Sequence, residues 1–211
     1  MSVNIQIVVS GHLDVNQSSK YLSGGGLTMR VSRQEAAESR KRIVKAAACE
    51  FREKGIVATG LADLMKAAGM THGGFYKHFE SKDQLIAEAV ADAVEEAIGG
   101  MEARPTINAA VAAYLSPHHR DSPASGCPFS TIGSELARTD AKAREAATAG
   151  FERLVSLLAG KSKGKDARRR ALVTASTMIG AVTMSRVVND PKLSAEILSE
   201  VEKSLIKGSQ R

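Results

Sequence analysis

Tryptophan is absent from this chain of 211 residues, and aromatic side chains of all kinds make up only 4% of it. With 43% hydrophobic residues and abundant alanine, its core must close through small and aliphatic side chains, as packed helices do. Strand-like alternation is just as scarce and is confined to VNIQIVV near the start. The two cysteines, Cys49 and Cys127, are too few for a disulfide framework and read as reduced thiols of a cytoplasmic chain. No apolar run approaches the ~20 residues of a membrane-spanning helix, so no membrane partner is expected. The first residues lack the basic start, apolar core and cleavage site of a secretory signal. The sequence also lacks a nucleophile–base pairing, a phosphate loop and a metal signature, so it does not read as an enzyme, and no cofactor is expected. His118, His119 and Cys127 make a poor metal site, because adjacent histidines point apart and close ligand spacing is missing.

What is present is charge, and it is unevenly spread. The net charge is +6. Between Arg30 and Lys82 there are eleven Lys/Arg and six Asp/Glu, a local net of +5. A basic quarter of this kind suits a nucleic-acid partner; a ligand-binding module without DNA binding has no need of it. Residues 1–28, ending in YLSGGGLT, differ in composition and read, up to Met29, as a disordered arm or an extension upstream of a second start at Met29.

From about Arg33 to Lys54 the pattern is helical, with Ile43, Val44, Ala47 and Phe51 at helical spacing and Gly55 as the stop. A short helix follows from about Gly60 to Ala67, with Thr59 as its cap. After the turn Ala68-Gly69-Met70, Thr71 caps a third short helix ending near Lys77, and Ser81 caps a fourth that runs to Gly99. Long helix, short helix, glycine turn, short helix is the helix-turn-helix layout. It bears on the oddest feature of the chain, Gly73-Gly74 inside THGGFYKHFESK. Two glycines cost a short helix roughly 1 kcal/mol each. In this layout the second helix enters the DNA major groove, and glycines at its leading end permit close backbone approach. Phe75 and Phe79 read as core.

The segments RKRIVKAAACEFREKG and ATGLADLMKAAGMTHGGFYKHFESKDQL resemble the TetR/AcrR family of transcriptional regulators over roughly residues 33 to 86. The resemblance implies an all-α fold. A three-helix DNA-binding domain (30–80) precedes a helical ligand-sensing and dimerisation domain (81–211). It implies a homodimer on a palindromic double-stranded DNA operator, released by a small organic inducer or an electrophile. By the same resemblance Thr59 and Gly60 lie near phosphates, and Thr71, His72, Gly73 and Gly74 lead the recognition helix. Tyr76, Lys77 and His78 touch backbone or bases, Lys82 clamps a phosphate, and Arg33 and Arg40 reach the DNA backbone. With glycine at both 73 and 74, specificity rests on His72, Lys77 and DNA shape.

The second half reads as further helices: about 105–115, then a loop 117–126, 127–138, 141–158, a polar linker 160–165, 166–188 and 192–206. For dimerisation, Leu172, Ala175, Ser176, Ile179, Thr183 and Val187 offer one face, and Leu193, Ile197, Leu198, Val201 and Leu205 another; burial against the same subunit is the alternative. SGCPFSTIGSELA resembles a branch of N-ethylmaleimide-responsive repressors, in which the Gly-Cys carries a sensing thiol. That resemblance casts Cys127 as the sensor and Arg186 as its basic partner, with His118 and His119 close by. A helix N-terminus and a guanidinium both favour thiolate, so a lowered Cys127 pKa is expected. Buried, inert packing is the alternative for Cys127.

Overall fold

The computed structural model describes residues 25–160 and 165–208, and every regular element among them is helical. The arm through residue 24 and most of the 160–165 linker lie outside the described residues. The helices are α1 (Gly25–Lys54), α2 (Leu61–Ala67), α3 (Lys82–Glu102), α4 (Ile107–Tyr114) and α5 (Pro117–Asp121). They continue with α6 (Pro128–Thr131), α7 (Gly133–Leu136), α8 (Ala141–Ala159), α9 (Lys165–Val187) and α10 (Pro191–Gly208). Two 3-10 helices, His72–Lys77 and Pro123–Ser125, complete the set. The described residues from Ala36 onward form one compact unit.

One apolar cluster joins Ile43, Ala47 and Phe51 of α1 to Leu64, Met65, Phe75 and Phe79, then runs along α3 through Leu85, Val90 and Val94 to Ile132 and Leu136. Phe75 and Phe79 are core, as their spacing predicts, with rings stacked at 5.5 Å. A second cluster gathers Met101, Val111, Tyr114, Leu115, Cys127, Leu154, Met178, Val182 and Leu198. With no tryptophan to fill gaps, backbones must approach closely. Gly150 of α8 sits so near α3 that an added Cβ would meet the Val94 methyls at 2.7 and 2.8 Å.

Several boundaries differ from the sequence expectation. Helix α1 starts at Gly25, ahead of Arg33. Thr59 does not cap α2; Gly60 does, without a side-chain bond, while Thr59 is buried and donates its hydroxyl to the Gly55 carbonyl. Thr71 precedes its helix in extended conformation but makes no capping hydrogen bond, and the helix itself is 3-10. Ser81 caps α3 as expected, accepting from the Gln84 N–H at 3.1 Å. The helix expected from Pro105 starts at Ile107, capped by Thr106, whose hydroxyl accepts from the Ala109 N–H. The expected loop 117–126 holds α5, with Ser116 as cap and Pro117 in its first turn, followed by the 3-10 helix. The expected helix 127–138 breaks at Ile132 into α6 and α7.

Candidate nucleic-acid interface and the cavity behind it

The turn between α2 and the 3-10 helix is set by Gly69, whose φ of +72° is one that side chains rarely adopt. Beyond it Thr71, His72, Gly73, Tyr76 and Lys77 are exposed, with Gly74 and His78 half-buried. Tyr76 is 69% exposed and rests edge-on against Phe75. The fold gives Gly73 no internal reason: its φ is not positive, and an added Cβ would stand in open space. At Gly74 a Cβ would make ordinary contact with Met65 at 3.5 Å.

Other residues expected at DNA have internal partners. Both terminal nitrogens of Arg40 pair with Glu88, its Nε donates to the His78 carbonyl at 3.2 Å, and its guanidinium lies 4.5 Å from the Phe79 ring centre. It clasps α1 to α3. Lys82 donates to the carbonyls of Ile56 at 2.8 Å and Thr59 at 2.7 Å, which commits two of its three protons to the loop before α2. Arg33 is exposed on α1, and Gly60 is exposed at the start of α2.

A cavity of about 180 Å³ opens between α3, α4, α5 and the segment 122–127. Ala97, Met101, Ala110, Ala113, Tyr114 and Cys127 form part of its wall, and Arg104 and His118 are exposed residues among its lining. A void of about 10 Å³ shares Ala97, Met101, Tyr114 and Cys127 with it. Cys127 is 4% exposed at the head of α6. Burial pushes its thiol above the usual value and outweighs Tyr114, the N–H groups of Phe129 and Ser130, and Arg186, all of which act downward. The expected lowered pKa is overturned: α6 is a four-residue helix, too short to offset desolvation of a thiolate.

Arg186 does reach this site, and it acts downward on the Cys127 thiol without overcoming burial. It donates to the carbonyls of Arg120, Ser130 and His119 at 2.9, 3.0 and 2.8 Å, pinning α9 to α5 and α6. His119 is also placed here. Its Nδ1 lies 2.6 Å from the Tyr114 carbonyl, and its Nε2 accepts the Cys127 N–H at 3.0 Å. The first contact requires a proton on Nδ1 and the second a bare Nε2, so the ring is neutral. Burial lowers its pKa, with smaller downward pushes from Arg186 and His118. Gly126 makes the contact between ring and chain possible, since an added Cβ would lie 2.9 Å from Nε2.

Three participants were not singled out from sequence. The Tyr114 hydroxyl is buried without a hydrogen-bond partner. It neighbours Cys127 and Ser130, but Ser130 already donates to the Cys127 carbonyl and accepts from Arg186. An unmet buried hydroxyl costs about 1–3 kcal/mol. Arg52 of α1, 3% exposed, donates to the Gly126 carbonyl at 2.9 Å and pairs with Glu96 of α3 at 2.8 Å. Glu135 of α7 accepts the Val57 N–H at 2.9 Å, just after α1 ends. The segment from Gly126 to Glu135 therefore touches the cavity through Cys127 and grips the α1–α2 connection at both ends.

A tri-helical unit with an exposed glycine-led recognition turn, followed by a helical domain holding a cavity, defines a helix-turn-helix regulator class. Two family models match the chain: "Bacterial regulatory proteins, tetR family" over residues 43–89, and "Transcriptional regulator LmrA/YxaF-like, C-terminal domain" over residues 103–194. The chain belongs to the TetR family. The transcriptional regulator TtgR of Pseudomonas putida is 38% identical over 68 residues, 32% of each chain. The chain thus spans about a third of the length of the first curated relatives it matches. A TetR transcriptional regulator from Chloroflexus aurantiacus has the same fold, with a TM-score of 0.67 at 26% identity over 82% of this chain and 94% of that one. The reduced form of Escherichia coli NemR matches at TM-score 0.60 and 18% identity over 80% and 95%, a likeness of fold alone. No described helix is long and apolar enough to cross a membrane.

Proposed function

We propose that this protein is a cytoplasmic transcriptional repressor that binds a palindromic operator as a homodimer and is released by a small organic inducer. The observation that carries the DNA-binding part is Gly73. Nothing inside the protein excludes a side chain there, yet glycine weakens the helix. A close-approaching external surface accounts for it. Thr71, His72, Gly74, Tyr76 and Lys77 flank that position. The inducer enters the cavity beside Cys127. Movement of the 126–135 segment then reaches α1 through Arg52 and the α1–α2 loop through Glu135. A released state requires the inducer to bind one arrangement better than the other. Modification of Cys127 is the weaker route, because the thiol is buried and protonated.

The test is fluorescence anisotropy on DNA from upstream of the protein's own gene, followed by operator selection. The expected result is salt-sensitive binding. Lys77→Ala should reduce the slope of log affinity against log salt by about 1. His72→Ala should lose about 1–3 kcal/mol of preference for the operator over random DNA. Absence of any selected sequence would leave a helical ligand-binding module in place of a regulator.

A further inference from the structure

We infer that the cavity beside Cys127 takes small amphipathic anions, a single apolar ring carrying a carboxylate being the simplest, with the ring inside and the carboxylate at Arg104 and His118 in the mouth. The inference rests on the reading of this cavity as a ligand site and adds the chemistry of what it takes. The lining is divided. Met101, Ala110, Tyr114 and Cys127 are buried and form a largely apolar inner wall. Arg104, just past the end of α3, and His118, in α5, are exposed, so they stand where the cavity meets solvent. Neither side chain has a hydrogen bond or ion pair among the described residues. A guanidinium offers paired donors that match a carboxylate, and His118 offers an N–H in either protonation state. Ser122 and Ser125 add hydroxyls to the same lining, and the contact between them is long, Ser125 donating to the Ser122 carbonyl at 3.5 Å.

The carboxylates at this cavity are already matched. Glu96 is the acidic residue of the lining among the described residues, and it pairs with Arg52 at 2.8 Å. Asp121, within electrostatic reach of His118, is held by Arg120 at 2.7 Å. Glu102 is exposed and outside the lining. A cationic ligand would have to draw Glu96 away from Arg52, whose side chain is 1% exposed, and so leave a buried guanidinium without its counter-ion. It would also meet Arg104 at the mouth. An anion meets an unpaired guanidinium and breaks nothing. Its charge stays at the wet end, so a carboxylate need not be dried, while the ring gains the apolar wall. A neutral molecule of the same shape keeps the contacts of the ring and leaves Arg104 without a counter-ion. The volume of about 180 Å³ suits one ring with a short side arm.

The test is titration calorimetry of the full chain with phenylacetate, phenylacetamide and phenethylamine, single-ring probes with a negative, a neutral and a positive end. Phenylacetate should bind about fivefold to tenfold more tightly than phenylacetamide, with phenethylamine weakest. Added salt should erode the advantage of phenylacetate and leave phenylacetamide unchanged. Arg104→Gln/His118→Gln should bring phenylacetate down to the level of phenylacetamide; both side chains are exposed, so the fold should survive the exchange. Equal binding of phenylacetate and phenylacetamide to the native chain would overturn the inference. So would tighter binding of phenethylamine, which would put Glu96 in command of the site, or no binding of phenylacetate. A phenylacetate preference that survives in the double variant also overturns it, because the anion then sits elsewhere on this basic chain. Operator anisotropy without ligand reports separately on the regulator reading: DNA binding with no phenylacetate preference defeats only this inference, and phenylacetate preference with no DNA binding defeats only that reading.

Discussion

His119 shows how one side chain connects motif and chemistry. Its neutral ring bridges the Tyr114 carbonyl and the Cys127 N–H, so it holds α4, α5 and the head of α6 together. Because burial lowers its pKa from 6.5, the unfolded chain binds the proton more readily than the folded one. Stability therefore rises with pH through the window just below 6.5 and is lost as the pH falls toward the folded value. The slope contributed by one such group is at most about 1.4 kcal/mol per pH unit. Urea unfolding between pH 7 and 5 should show that slope in the native chain and a flatter profile in His119→Gln; equal slopes would mean that His119 does not titrate with folding. At this scale the sequence was readable where a residue's role is local. Phe75, Phe79 and the Ser81 cap follow from spacing and type. The Cys127 thiol does not, because its ionisation is decided by burial among residues from α3, α4 and α8. The partners of Arg40 and Lys82 were not legible for a similar reason: a cation in a basic segment looks free until its distant partners, Glu88 and the Ile56 and Thr59 carbonyls, are known.

Among the elements, the C-terminal turn of α1 does more than close a helix. Arg52 lies one helical step past Ala48, on the buried stripe, so a charge in the core was visible in the pattern although its partners were not. Its two ends differ in environment. The Gly126 carbonyl is held inside, whereas the Glu96 carboxylate remains 44% exposed. Arg52→Ala should therefore lower the unfolding free energy by about 2–4 kcal/mol, through an orphaned carbonyl and a cavity. Glu96→Gln should cost under about 1 kcal/mol, because its end of the pair is wet. Denaturant midpoints of the two variants check this, and similar losses would place the energy in the ion pair after all. The elements themselves were legible in order and approximate length from periodicity, caps and glycine stops. The misses cluster in 117–138, where three short helices and a 3-10 turn leave too few residues for a period to show. Thr59 looked like a cap by type, but lost that role to the Gly55 carbonyl, which draws its hydroxyl inward.

Assembly belongs to the molecule as a whole. The expected dimer faces are corrected in part: Ala175 and Leu198 are buried in their own subunit, at 0% and 3% exposure. The face left open on α9 is Val173, Ser176, Gly180, Met184 and Val187, recurring every three or four residues. Leu193 of α10 is exposed as well. Of the expected α9 stripe, Leu172, Ser176 and Val187 are exposed while Ala175 is buried; periodicity does not say which of two apolar faces meets its own core. A homodimer closed by this face should revert to monomer mass in Val173→Glu/Met184→Glu, read by light scattering. The same variant should bind operator DNA with a shallower salt dependence, because half the phosphate contacts are gone. A dimer that persists unchanged would move the interface elsewhere.

The scarcity of aromatic residues has an experimental side. Without tryptophan, the near-ultraviolet emission of this chain comes from three tyrosines. Two of them stand at the two sites described above: Tyr76 exposed on the recognition turn and Tyr114 closed in beside the cavity. No indole is present to drain their excitation. The protein thus carries intrinsic optical probes for both proposed events, one on the turn proposed to meet nucleic acid and one beside the cavity proposed for the inducer. Tyrosine-to-phenylalanine exchange at either position would assign the signal without a dye.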